Sequence, residues 1–163
     1  MAGIWFDDME VGQVIDHPIR RTVTETDNVM FTCMTHNPAQ LHLDEEYMKG
    51  TEFGTRIVNS CFTLSVMVGI SVNDTTLGTA VANLGWDEVR FPKPLFHGDT
   101  IRIEITPQED SDYGPRILFT ARATSNARFS EDRAATILSH TLVAALGFSP
   151  ADIIEWNAPA ILL

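Results

Sequence analysis

Positive charge is scarce in this chain: 11 lysines and arginines stand against 22 aspartates and glutamates, for a formal net charge of −11. A surface of that sign repels phosphate backbones and anionic lipid at long range, so neither nucleic acid nor a membrane surface is an expected partner. Any anionic ligand must find a local basic cluster. Cysteine is almost absent. Cys33 and Cys61 both stand in apolar settings, without CxxC or zinc-ligand spacing, which excludes a disulfide framework and a zinc site and suits a reducing cytoplasm. The opening MAGIWFDDMEVGQV carries acids where a secretory leader carries basic residues. A membrane-length apolar run is missing too: the longest uncharged stretch, Ile57 to Asn73, is broken by Asn59, Ser60, Thr63, Ser65, Gly69 and Ser71. Linker-like or low-complexity segments are lacking, and with 44% hydrophobic residues over 163 positions the expectation is one globular domain, 1–163.

What is present is a change of period along the chain. Gly12 and Pro18 punctuate an entry loop and a strand. Thr24 or Thr26 can cap a helix whose first turn holds Glu25 and Asp27, and Pro38 ends it. The segment LDEEYMKG reads as a short second helix with Asp44 as its cap and Gly50 at its end. From Ile57 to Val72 apolar residues fall on nearly every face, which implies a central helix surrounded by protein on most sides. From residue 79 onward the period becomes two. In DTIRIEIT, Ile101, Ile103 and Ile105 alternate with Arg102, Glu104 and Thr106; TAVANLGWDEVRF, ILFTARAT and AATILSHTLVAAL continue the style, giving four long strands. The short links HGD and SDYGP suit antiparallel neighbours. The expected fold is therefore α+β, a curved antiparallel sheet wrapped around a central apolar helix. The tail 149–163 begins like a capped helix with Pro150 in its first turn, then loses its period and has no assigned structure.

Three segments, TETDNVMFTCMTHNPAQLHLDEEYM, FGTRIVNS with the helix after it, and VRFPKPLFHGDTI, carry a family pattern in order and spacing. Over roughly residues 10 to 127 the chain resembles the MaoC-like dehydratases, the (R)-specific enoyl-CoA hydratase branch of the hot-dog fold. Pro94, Gly98 and Asp99 match that family's strand-turn-strand. In the family, the loop after the first helix usually reads Asp-x-Asn-Pro-x-His, and its His and Asp handle water and the proton. Asn37 and Pro38 match; the His falls on His42, two residues later than usual, and the Asp position falls on Thr35, beside His36. The longer loop is similar to a variant branch associated with branched or dicarboxylic substrates such as mesaconyl-CoA or itaconyl-CoA. The resemblance implies an acyl-CoA hydro-lyase that needs no cofactor, coenzyme A being part of the substrate. It also implies a homodimer or higher oligomer with the CoA tunnel along the subunit interface.

Hydrating a 2-enoyl thioester requires a base for water, a proton for C2 and donors for the enolate-like oxygen. His42 is the expected base, since an imidazole titrates near neutrality; the alternative is a surface histidine in a polar turn. Asn37, Thr35 and His36 are further catalytic candidates, against a simple role in satisfying carbonyls at a helix end. Asp44 reads as a cap. A His36–His42 metal pair lacks a third ligand, so no metal is expected. Asn59 and Ser60 stand where the family usually has His and Gly, and the helix start there offers free amides for an oxyanion, or Asn59 and Ser60 merely cap it. Arg56, Arg90 and Lys93, next to the matched motifs, are the expected contacts for CoA phosphates, against plain solvated charges. Two other functions stay open: a thioesterase of the same fold, which would need a carboxylate on the central helix, and a non-catalytic acyl-CoA-binding protein in which loss of the Asp ended chemistry.

Overall fold

The structure, a computed structural model, describes residues 3–86, 89–111, 114–124 and 154–162. A short 3-10 turn, Phe6–Asp8, precedes strand β1 (Ile15–Thr22). Helix α1 (Glu25–Met34) then opens on Thr24, which resolves the choice between Thr24 and Thr26. Its hydroxyl accepts from the Asp27 N–H at 3.2 Å while the Asp27 carboxylate accepts from the Thr24 N–H at 2.8 Å, so two otherwise unsatisfied donors are closed reciprocally. Two short helices follow, α2 (Gln40–Leu43) and α3 (Glu45–Lys49); Asp44 caps the latter by accepting from the Tyr47 N–H at 2.9 Å. Helix α4 (Ser60–Ser71) occupies the uncharged run and passes into a π-helical turn, Val72–Thr76.

Strands β2 (Asn83–Trp86), β3 (Thr100–Ser111), β4 (Gly114–Thr124) and β5 (Ile154–Leu162) join β1 in one antiparallel sheet of order β1-β3-β4-β5-β2. β3 and β4 pair over almost their whole length, with Ile103 opposite Ala121 and Ile105 opposite Phe119. The alternation in β3 does what its period requires: Ile101, Ile103 and Ile105 are buried and, with Ile117, Phe119, Ala121 and Ala123 of β4, cover Met67 and Ile70 of α4. Small side chains at 121 and 123 leave room for the helix, and burial of this apolar surface is the main stabilising term.

Two expectations are corrected, and two readings gain detail. α4 buries Thr63, Met67, Ile70 and Ser71 and half-buries Phe62, Leu64, Val66 and Val68, as a central helix should, while Cys61, Ser65 and Gly69 leave one exposed stripe. The run conceals this because its outward positions are small rather than charged. HGD does not close a hairpin. β2 pairs with β5, and Phe96 instead bridges Ile57, while the Gly98 N–H donates to the Val23 carbonyl at 2.7 Å with Gly98 at φ 93°, a conformation glycine adopts freely. Among the described residues of TAVANLGWDEVRF only the four of Asn83–Trp86 form a strand, not a long one. The tail contributes β5, whose Pro159 faces Leu118 in the register with β4. SDYGP does join antiparallel neighbours, Ser111 pairing with Gly114. The strand expected in AATILSHTLVAAL and the helix start at Pro150 lie outside the described residues. Among the described residues no helix is long and apolar enough to cross a membrane.

Candidate active site

The polar turn after α1 is built first by the helix end itself. The Asn37 N–H donates to the Thr32 carbonyl and the His36 N–H to the Cys33 carbonyl, both at 3.1 Å, with His36 at φ 54°. This is a Schellman closure with histidine in the left-handed position usually given to glycine. The Thr35 hydroxyl donates to the carbonyls of Phe31 and Thr32, each 3.1 Å away, and Asn37 Oδ1 accepts from the Ala39 N–H at 3.0 Å. Thr35 and His36 are exposed and Asn37 is half-buried. Each of the three thus has a local structural task, and the position of the family carboxylate holds a hydroxyl that faces its own helix.

The turn delivers His42 to the interior, where it retains 8% of its accessible surface. Its Nδ1 lies 2.9 Å from the carbonyl oxygen of Ile57. A carbonyl only accepts, so Nδ1 carries a proton, and in the neutral ring Nε2 is the nitrogen with the lone pair, the tautomer a general base requires. The same two segments are tied again by the Ile57 N–H, which donates to the Leu41 carbonyl at 3.1 Å.

One residue beyond Ile57 and Val58, the chain turns into α4. Asn59 caps it, its Oδ1 accepting from the Cys61 N–H at 3.0 Å, while the Asn59 carbonyl accepts from Phe62 at 2.9 Å. The first helical amide, that of exposed Ser60, has no acceptor among the described residues, and it stands at the positive end of the helix dipole. Capping and a free donor are therefore both present: Asn59 does the former and Ser60 supplies the latter.

The group that joins these parts was not legible in the sequence. Asn28, fully buried within α1, has its Nδ2 3.2 Å from the carbonyl of His42, 3.2 Å from that of Ile57 and 3.0 Å from His97 Nε2. Its Oδ1 accepts from the Asn59 N–H at 2.9 Å and from the Thr32 hydroxyl at 3.5 Å. Thr32, also buried, accepts in turn from Asn59 Nδ2 at 3.4 Å. Nδ2 carries two protons, which the two carbonyls and the facing His97 Nε2 share. Burial, followed by the nearby Arg56 cation, holds the His97 pKa below its ordinary value.

Arg56, the first of the expected phosphate contacts, is engaged within the protein. Its guanidinium reaches Glu25 Oε1 at 2.6 Å and Glu45 Oε2 at 2.9 Å, and the Thr55 hydroxyl donates to the other Glu45 oxygen at 2.9 Å. These hydrogen bonds from Arg56 hold both glutamates below the usual carboxylate range and raise Arg56 itself. Arg56 is a clasp between α1, α3 and the approach to α4. Arg90 is exposed and Lys93 half-buried on the segment between β2 and β3, and both have partners within the protein. Among the described residues no group of three or more His, Cys, Asp or Glu could hold a metal ion.

A curved antiparallel sheet folded over one apolar helix, with a histidine loop meeting the helix start, defines a hot-dog protein. The chain belongs to the family of the MaoC like domain, which matches residues 8–127. It is 33% identical over 102 residues to protein MaoC of Klebsiella aerogenes, covering 63% of this chain and 30% of that one. To the mesaconyl-CoA hydratase of Cereibacter sphaeroides it is 32% identical over 105 residues, covering 64% of this chain and 30% of the relative. The chain thus spans less than a third of the length of these two relatives. The solved monoamine oxidase regulatory protein of Archaeoglobus shares the fold with a TM-score of 0.70 and 23% identity, over 100% of this chain and 95% of that one.

Proposed function

We propose that the protein is a cofactor-independent hydro-lyase that adds water to, or removes it from, a 2-enoyl thioester of coenzyme A. The observation that carries the proposal is the hydrogen bond of His42: Nδ1 is committed to the Ile57 carbonyl, on the segment that leads into α4, which leaves Nε2 as the ring nitrogen able to act as base. In hydration, Nε2 takes a proton from water as the water oxygen bonds to C3, and the C2–C3 π electrons move toward the thioester carbonyl. The Ser60 N–H and the helix dipole stabilise the negative oxygen that results. The thioester then re-forms as C2 takes a proton. With a hydroxyl at Thr35 in place of the carboxylate, and Asp44 engaged as a cap, the proposal assigns both proton transfers to His42. Asn37 orders the loop that carries it.

The relative named mesaconyl-CoA hydratase supports a branched or dicarboxylic enoyl-CoA such as mesaconyl-CoA or itaconyl-CoA as substrate. A homodimer in the cytoplasm is part of the same proposal. It is supported by the apolar surface beside the site, where Met30 and Met34 of α1 are 58% and 76% exposed in the single chain. Arg90 and Lys93 are the remaining basic side chains proposed to face the CoA phosphates. A thioesterase is disfavoured because α4 carries no carboxylate, and Asp74, in the turn after it, faces His17 at 2.8 Å.

Incubation with crotonyl-CoA, mesaconyl-CoA and itaconyl-CoA, following enoyl-thioester absorbance together with free thiol, tests the proposal. Loss of absorbance without thiol supports hydration. Release of thiol would instead support hydrolysis, and no change would favour a binding role.

A further inference from the structure

The base and the oxyanion donor sit on different segments, joined directly where His42 Nδ1 and the Leu41 carbonyl meet Ile57. They meet again at Asn28. From one face its amide group holds the His42 and Ile57 carbonyls, each 3.2 Å from Nδ2; from the other its Oδ1 holds the Asn59 N–H at 2.9 Å. Ile57 O is also the acceptor that fixes the His42 tautomer, so Asn28 places the very oxygen on which the base depends. Asn59 is the cap of α4, so its N–H sets where the free Ser60 amide lies. The orientation of the amide is fixed, because the Asn59 N–H must face oxygen and two carbonyls must face nitrogen. Thr32 closes the ring by donating to Asn28 Oδ1 and accepting from Asn59 Nδ2. A helix interior is an unfavourable place for asparagine, and full burial makes each of its polar atoms costly unless bonded.

We propose that Asn28 is a positioning residue for catalysis, the strut that sets the distance between the His42 imidazole and the amide end of α4. The proposal rests on the hydro-lyase function put forward above. Asn28 touches no reacting atom; it acts through His42 on one side and through Asn59 on the other. Thr32 steadies it, and His97, bonded to the same Nδ2 at 3.0 Å, limits its rotation.

The test is a double-mutant cycle on the full chain with Asn28→Ala, His42→Ala and the pair, assayed with the enoyl-CoA that the wild type hydrates fastest. A misplacement of about 1 Å costs on the order of 10²-fold in rate, so Asn28→Ala should lower kcat by about that factor while KM stays within about threefold. In the His42→Ala background the same change should lower kcat by clearly less than in the wild type, because the part of its effect that runs through His42 is already gone and only the part through Asn59 remains. A merely structural asparagine would move the melting temperature equally in both backgrounds and multiply the rate losses. Asn28→Asp is the second variant: it keeps the acceptor for Asn59 and loses the donors to His42 and Ile57, and it should lower kcat again with KM little changed. Retention of kcat within twofold in a folded Asn28 variant overturns the proposal, as do multiplicative rate losses. If neither variant folds, Asn28 is a folding element and the proposal falls. If the wild type hydrates none of the thioesters, the hydro-lyase function fails first, an outcome distinct from an active wild type with an indifferent Asn28.

Discussion

Nδ1 of His42 stands 2.9 Å from the carbonyl oxygen of Ile57, and that contact decides which ring nitrogen is basic. Replacing His42 with alanine should lower kcat by about 10²- to 10⁴-fold, the usual contribution of a general acid–base group. Asn28 still donates to Ile57 O in the variant, so circular dichroism should show a folded protein. Full activity in folded His42→Ala would remove the base from the proposed mechanism.

Ser60→Pro isolates the amide from the side chain. Proline suits the first position of a helix, and Asn59 at φ −60° and ψ 122° already has the extended conformation that precedes proline. The variant should therefore fold with a near-normal melting temperature, yet lose about 10²- to 10³-fold in kcat, as when one oxyanion donor is removed. Ser60→Ala keeps the N–H and should stay near wild-type rate. Equal rates for the two variants would exclude the amide as the donor.

The Arg56 clasp predicts acid sensitivity of known sign. Glu25 and Glu45 have depressed pKa values in the folded protein, so the unfolded chain binds protons at higher pH than the folded one. Their contribution is fully present above the unfolded glutamate value of about 4.3 and is lost as pH falls through the lower folded values. Arg56→Met should lower the melting temperature at pH 7, and the gap to wild type should close below about pH 4. A gap independent of pH would mean that Arg56 acts through packing alone.

His97 gives a second window. Its folded pKa lies below the ordinary value, so between the two the unfolded chain binds more protons and stability rises with pH. His97→Gln keeps an acceptor for Asn28 and removes the titration. Thermal melts from about pH 5 to 7 should be flatter for this variant than for wild type, the ordinary histidine value being about 6.5. Identical slopes would contradict the depressed value.

His36 is an L-residue in the left-handed region, at φ 54°. That conformation costs roughly 1 kcal/mol for a residue with a Cβ, and more for a β-branched one. His36→Gly should melt at or slightly above the wild-type temperature with activity unchanged, and His36→Val should melt lower. A marked rate loss in His36→Gly would restore a chemical role to this side chain.

The parts of the fold governed by local rules were legible in the sequence: the capping pair Thr24 and Asp27, the cap at Asp44, the alternation through Ile101, Ile103 and Ile105, and the uncharged helix. His42 and the Asn59–Ser60 corner were also identifiable, through their resemblance to a family loop. Asn28 was not, because its partners lie 14, 29, 31 and 69 residues away and a lone polar residue in a helix leaves no periodic trace. Its one signal is a residue of poor helix propensity held inside a capped helix. The Arg56 clasp was not legible for a like reason: Glu25 and Glu45 reach Arg56 only after folding. β5 escaped notice because Pro159 argues against a strand, and HGD read as a hairpin because a tight turn looks the same whichever segment it packs against.

Pro18 lies in the one interruption of the pairing between β1 and β3, between Asp16 opposite Glu104 and Arg20 opposite Arg102. β1 is also an outermost strand of the described sheet. An incoming extended peptide would meet a missing donor, a local kink and the cations of Arg20 and Arg21 along that border, so accretion of foreign strands is discouraged there. Continuation of the sheet past β1 is thus hindered by residues of the strand itself.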